Sequence, residues 1–72
     1  MNEMNKMQIC SWGIVVPWVN NAGALLGVVY RVGGRTIIAE NRGDCYAMTL
    51  NGREKRFPDR TTATKWVKSH LA

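Results

Sequence analysis

The chain is poor in the residues from which catalytic and metal sites are usually built. It has one histidine, His70, two cysteines, Cys10 and Cys45, and five acidic residues. The cysteines form no CxxC pair and no histidine cluster accompanies them. A structural zinc site takes four ligands, and Cys10, Cys45 and His70 cannot supply them. Nucleophilic catalysis needs a base beside the nucleophile. His70 stands two residues from the C-terminus, and Ser11 and Ser69 lie in no nucleophile motif. Glu40, Asp44, Glu54 and Asp59 all fall in or beside turns and show no paired spacing for acid–base work. The expectation is a protein with no catalytic residues, no metal and no cofactor. A secreted domain of this size usually carries several disulfides. Cys10 and Cys45 are therefore expected as two free thiols in a cytoplasmic protein.

Charge is missing from residues 7–30, between Lys6 and Arg31. A run of that length could span a bilayer, which takes about 20 apolar residues. Pro17, Asn20-Asn21, Gly13, Gly23 and Gly27 interrupt it and argue against a membrane helix. Its neutral start and broken apolar core also fit a signal peptide poorly. The run divides instead into Ile14-Val15-Val16 and Leu25-Leu26 with Val28-Val29, around a polar turn, which is strand patterning. Residues 1–6 are expected to be a flexible tail ahead of a single domain over residues 7–72. Such a domain, at 72 residues in all, buries only about 60% of the surface its unfolded chain exposes. That leaves little material for the walls and supporting shell of a deep cleft.

What is present reads as strands, turns and one helix. Residues 9–19 read as one strand, best placed at a sheet edge because Pro17 cannot donate to a ladder. Residues 24–32 form the next strand. Gly33-Gly34 then supplies the positive φ angles of a two-residue hairpin turn. That turn pairs Val32 with Arg35, Tyr30 with Ile37 and Val28 with Ala39. Both faces of this hairpin carry apolar residues, which predicts a central position covered on both sides. Asn41-Arg42-Gly43-Asp44 reads as a polar turn, although it contains Arg-Gly-Asp. Residues 45–50 form a further strand. Asn51-Gly52 is a strong hairpin signal and pairs Leu50 with Arg53, Met48 with Lys55 and Tyr46 with Phe57. Pro58 ends the last strand, Asp59 can cap a helix, and Ala63, Trp66, Val67, His70 and Leu71 form its apolar stripe. Trp66 is expected to anchor this helix, buried against the sheet. The fold class is α+β: an antiparallel β-meander of four or five strands with one C-terminal α-helix packed on one face.

The charge that the first half lacks gathers in the second. Residues 31–72 hold nine bases and four acids, so the whole net charge of +5 lies there. Its densest part is Arg53, Lys55, Arg56, Arg60, Lys65 and Lys68. A charged hairpin beside a basic helix face suits a phosphate backbone. These six are the candidate nucleic-acid-binding residues, with DNA favoured. Trp12 and Trp18, six apart, would face the same way on one regular strand. They are candidates for contacting a partner, by stacking or by filling a pocket.

The hairpin turns Gly33-Gly34 and Asn51-Gly52, followed by Phe57 and a helix carrying Ala63 and Trp66, support a resemblance. Over residues 28–71 this order resembles the arm-binding DNA domains of phage-type integrases. Small phage-encoded inhibitors of host defence share the same strand–strand–helix ending. The resemblance implies a three-stranded sheet placed in the major groove and braced by a C-terminal helix, in an accessory protein of a phage or other mobile element. The chain departs from that pattern in its additional apolar N-terminal hairpin and its lack of an attached catalytic domain. Non-enzymatic binding of nucleic acid is the first functional expectation. The alternative is a host protein bound, and inhibited or adapted, through the apolar N-terminal strands, with a homodimer joined edge to edge as a variant.

Overall fold

A computed structural model of the chain describes residues 7–71. The expected tail at residues 1–6 lies outside the described residues. Six strands come first: β1 (Gln8–Cys10), β2 (Gly13–Val19), β3 (Leu25–Val32), β4 (Arg35–Asn41), β5 (Tyr46–Leu50) and β6 (Arg53–Phe57). One helix, α1 (Arg60–Leu71), follows them. The strands lie in sequence order in one sheet, and each neighbouring pair is antiparallel. This is the α+β class read from the sequence, with six strands in place of four or five.

Two turns set the central registers. Gly33 and Gly34 have φ of 56° and 81°, and Asn51 and Gly52 have 53° and 78°. Left-handed φ at both central residues gives the type I′ turn, whose twist matches the flanking strands. The resulting pairs are those the sequence predicts: Tyr30 with Ile37, Val28 with Ala39, Met48 with Lys55, Tyr46 with Phe57. The turn at residues 41–45 is held from within. Asn41 Oδ1 accepts from Gly43 N at 3.0 Å, and Gly43 has φ 92°.

The additional strand comes from residues 9–19, which are not one strand. Ser11-Trp12 reverses the chain, so that Cys10 pairs with Gly13 and Ile9 with Ile14. Neither turn residue adopts positive φ. The turn therefore uses no glycine or asparagine, the residues by which such turns are recognised. It also moves β2 off the sheet edge. Pro17 nevertheless lies past the end of β1, which reaches along β2 only to Val15.

One face of the sheet carries the core. Val15, Val28, Tyr30, Val32, Ile37, Ala39, Met48 and Phe57 form a single cluster with Ala63 and Val67 of the helix. The helix starts where Asp59 Oδ1 accepts from Thr62 N at 2.7 Å and Asp59 O accepts from Ala63 N at 3.2 Å. The side-chain contact caps one first-turn donor, and the backbone contact is the first i→i−4 bond of the helix. The helix is too short to persist alone, so packing fixes it. Ala63 and Val67 are fully buried, whereas Trp66 is only half-buried. The expected anchor thus sits on the flank of the contact. The two small residues of the stripe let the helix axis approach the sheet most closely.

Among the described residues no helix covers the other face. Within them the central hairpin is covered on one side only, contrary to the two-sided cover its apolar pattern suggests. Ile38 remains 49% exposed while its neighbour Ile37 is buried. Cys10 and Cys45 are both free, with three strands between β1 and the start of β5.

Candidate nucleic-acid interface and the open sheet face

The six candidate basic residues divide between two surfaces. Strand alternation turns Arg53 and Lys55 to the helix side with Phe57, and Arg56 to the opposite face. Lys55 Nζ lies 5.7 Å from the Phe57 ring centroid and 5.6 Å from that of Trp66. Phe57 and Trp66 are themselves 5.8 Å apart and tilted by 54°. His70 stacks on the far side of this group, 4.7 Å from Trp66 at 13°. Its Nδ1 donates to Trp66 O at 3.0 Å, so this histidine completes a helix end. Edge strand and helix thus meet in a layered set of Lys55, Phe57, Trp66 and His70. Lys65 and Lys68 are exposed on the helix, and Arg60 is half-buried in its first turn.

Arg56 has a different setting. Its Nε donates to Glu54 Oε2 at 2.9 Å, and Arg42 donates to Glu54 Oε1 at 2.7 Å and to Glu40 Oε1 at 2.9 Å. The two arginines hold the Glu54 carboxyl below the usual carboxylate range, the Arg56 hydrogen bond contributing most. Hydrogen bonding to Glu40 and the charge of Glu54 push the Arg42 guanidinium up. The arginine of the Arg-Gly-Asp tripeptide is therefore engaged within its own sheet. Among the described residues, Arg53, Lys55, Lys65 and Lys68 form no ion pair.

Trp12 and Trp18 are also separated. The Ser11-Trp12 turn breaks the period that would align them. Trp12 packs against the core cluster, and Trp18 lies 41% exposed on the open face. Gly27 makes room for it. A Cβ at position 27 would meet Trp18 Cε3 at 3.1 Å and Ala39 O at 2.5 Å.

The open face is arranged in rows across the strands. Ile9, Ile14, Arg31 and Thr36 form one row. Val16, Val29 and Ile38 form the next. Trp18, Gly27, Glu40, Ala47 and Arg56 form the third. The β1–β3 part is mostly apolar, and the ion pairs run from Glu40 near the end of β4, through Arg42, to Glu54 and Arg56 on β6. The hairpin register brings Val29 and Ile38 to this face, but spacing does not reveal that the face is open, because β3 and β4 carry apolar residues on both sides.

No cluster of three or more potential metal-ligating side chains occurs among the described residues. No described helix is long and apolar enough to cross a membrane. Comparison with protein families, curated proteins and solved structures returns no match.

Proposed function

We propose that the protein is a non-enzymatic module that binds nucleic acid, duplex DNA first, on its helix side. The supporting observation is how its charges are paired. Glu40 and Glu54 are neutralised by Arg42 and Arg56 on the open face. Asp59 is engaged by the helix N-terminus. The helix side keeps Arg53, Lys55, Lys65 and Lys68 without a carboxylate partner among the described residues. Bases left unpaired in this way are available to phosphates, whose neutralisation releases counterions. Half-buried Trp66 stiffens the surface beneath Lys55. Arg56 takes no part in this surface, because its guanidinium is held by Glu54 on the opposite face.

Fluorescence anisotropy with labelled duplex and single-stranded oligonucleotides, over a range of salt, tests the reading. Each phosphate contact on duplex DNA contributes about 0.9 to the slope of log affinity against log salt. The Arg53→Gln/Lys55→Gln double variant should flatten that slope by about 1–2. Affinity should fall alike on unrelated sequences, since phosphate contacts position without specifying. Arg56→Gln should leave the slope unchanged. Failure of the parent to bind either oligonucleotide at low salt refutes the proposal.

A further inference from the structure

We infer that the uncovered sheet face is the interface of a face-to-face homodimer, with its twofold axis running across the strands. The inference rests on the open face alone and is independent of nucleic-acid binding. The middle row of that face is Val16, Val29 and Ile38, one apolar residue on each of three adjacent strands. Around it stand Ile9, 77% exposed, Ile14 and Trp18. A small monomer seldom leaves so much contiguous apolar surface in water.

Area and charge both fit a second copy. The two longer extents of the molecule are 31 and 26 Å, and these bound the face. Six strands about 4.8 Å apart, with residues rising about 3.3 Å, give about 500 Å² in projection. Side-chain relief carries the accessible area towards the roughly 800 Å² per partner of a stable interface. In a twofold interface each patch meets itself, so a patch of one sign would repel its copy. Here Glu40 and Glu54 offset Arg42 and Arg56 in local ion pairs. Arg31 is the base on this face that has no carboxylate partner among the described residues, whereas the helix side has at least four such bases.

The row order fits its own twofold image. An axis across the strands, through the middle row, sets Val16, Val29 and Ile38 on the same residues of the other copy. It also lays the Trp18 row over the row of Ile14 and Arg31. Trp18 then meets the other copy's Ile14 on the matching strand. Arg31 approaches the other copy's Glu40, one strand spacing of about 4.8 Å to the side. Packing of two such sheets at about 10 Å is that of a β-sandwich core. Edge-to-edge pairing is disfavoured by the same structure. β6 is short and charged, and β1 has three residues. Past the end of β1, the edge of β2 contains Pro17, which has no N–H to offer.

Sedimentation velocity on the full chain, from about 5 to about 500 µM, tests the inference, because dimer population follows protomer concentration. The expected mass is twice the 8.1 kDa of the chain. Ile38→Glu should weaken association by at least about 10-fold with an unchanged circular dichroism spectrum. Arg31→Glu should weaken it too, and Arg31→Glu/Glu40→Arg should recover part of the loss. Isoleucine-methyl NMR of the parent keeps the test decisive if a variant misfolds. Dilution should move the Ile14 and Ile38 signals and leave Ile37, on the core side, in place. A monomer at the highest concentration overturns the inference. So does a dimer that ignores Ile38→Glu, or a dilution shift that spares Ile14 and Ile38. A parent that stays monomeric but captures a host protein on this face also overturns it.

Discussion

The attachment of the helix can be tested through one hydrogen bond. Tyr30 is fully buried on β3, and its hydroxyl lies 2.8 Å from Thr64 Oγ1 on the helix. Thr64 has one hydroxyl proton, and it goes to Arg60 O at 2.9 Å. A carbonyl only accepts, so Tyr30 must donate to Thr64. This direction makes the two deletions unequal. Tyr30→Phe removes a satisfied donor, keeps the ring and leaves no orphaned proton. It should cost about 0.5–1.5 kcal/mol, the net worth of an ordinary hydrogen bond. Thr64→Val removes the acceptor and strands a buried hydroxyl, costing about 1–3 kcal/mol. Valine and threonine have similar helix propensity, so little else changes. The double variant should cost less than the sum of the two, with a coupling of about 1 kcal/mol. Each kcal/mol moves the melting temperature of a domain this size by about 4–8 °C. Thermal melts of the parent and three variants are therefore sufficient.

An alkaline titration adds a second readout of the same contact. Burial is the main cause that pushes the Tyr30 phenol above its usual 10.0, and the hydrogen bond to Thr64 only partly opposes it. A phenol pKa raised in the folded state stabilises the fold below its unfolded value. That contribution is lost as pH rises through the folded value. The parent should therefore lose melting temperature above about pH 10, and Tyr30→Phe should lose less. Equal, additive costs for the two single variants, with identical alkaline limbs, would refute this account of helix docking.

Two further outcomes follow from the helix. Hydrogen bonds to Thr62, chiefly from its backbone N–H, hold the Asp59 carboxyl below its usual 3.8. A lowered carboxyl stabilises the fold above its unfolded value, and the contribution disappears as pH falls through the folded value. Melts should show Asp59→Ala less stable at neutral pH, with a smaller acid loss than the parent. Asp59→Asn should keep the cap with the same reduced acid loss. Trp66→Ala should cost about 2 kcal/mol, below the roughly 3–5 kcal/mol of a fully buried aromatic, because Trp66 is half-exposed on the helix flank. A melting point within a degree of the parent would place Trp66 outside the helix–sheet contact.

The sequence was legible where the backbone needs a special residue. Gly33-Gly34 and Asn51-Gly52 must adopt left-handed φ, and only a few residue types do so cheaply, so turn and register follow together. Asp59, after Pro58, could be read as a cap because a short carboxylate can accept from an unpaired first-turn N–H. Ser11-Trp12 turns with ordinary φ angles and therefore leaves no compositional mark. Reading through it merged β1 with β2 and put Trp12 and Trp18 on one face. The apolar stripe on the helix gave the correct face but not its centre. Spacing alone does not show that Ala63 and Val67 lie closest to the sheet while Trp66 leans to one side. Among the candidate bases, alternation along β6 puts Arg56 on the face opposite Arg53 and Lys55, so the six do not form one surface. The pairing of Arg42 with Glu54 is different, because it links residues on two strands through the fold and has no local signature. The uncovered face was invisible for a related reason. Two apolar sides on β3 and β4 imply two covers, and only one of those covers lies within the described residues.

The two proposed surfaces constrain each other through geometry. If two copies meet on their open faces, the helices and their unpaired bases point outward on opposite sides of the dimer. A straight duplex can then touch one such surface at a time. The salt slope for a short oligonucleotide counts the bases of one copy, in the dimer as in the monomer. Ile38→Glu should therefore abolish the dimer and leave that slope unchanged. The Arg53→Gln/Lys55→Gln variant should flatten the slope and leave the sedimenting mass unchanged. A variant on either face that altered both readouts would mean that one surface does both jobs. Strand alternation argues against that, because it turns Ile38 and Lys55 to opposite sides of a single sheet.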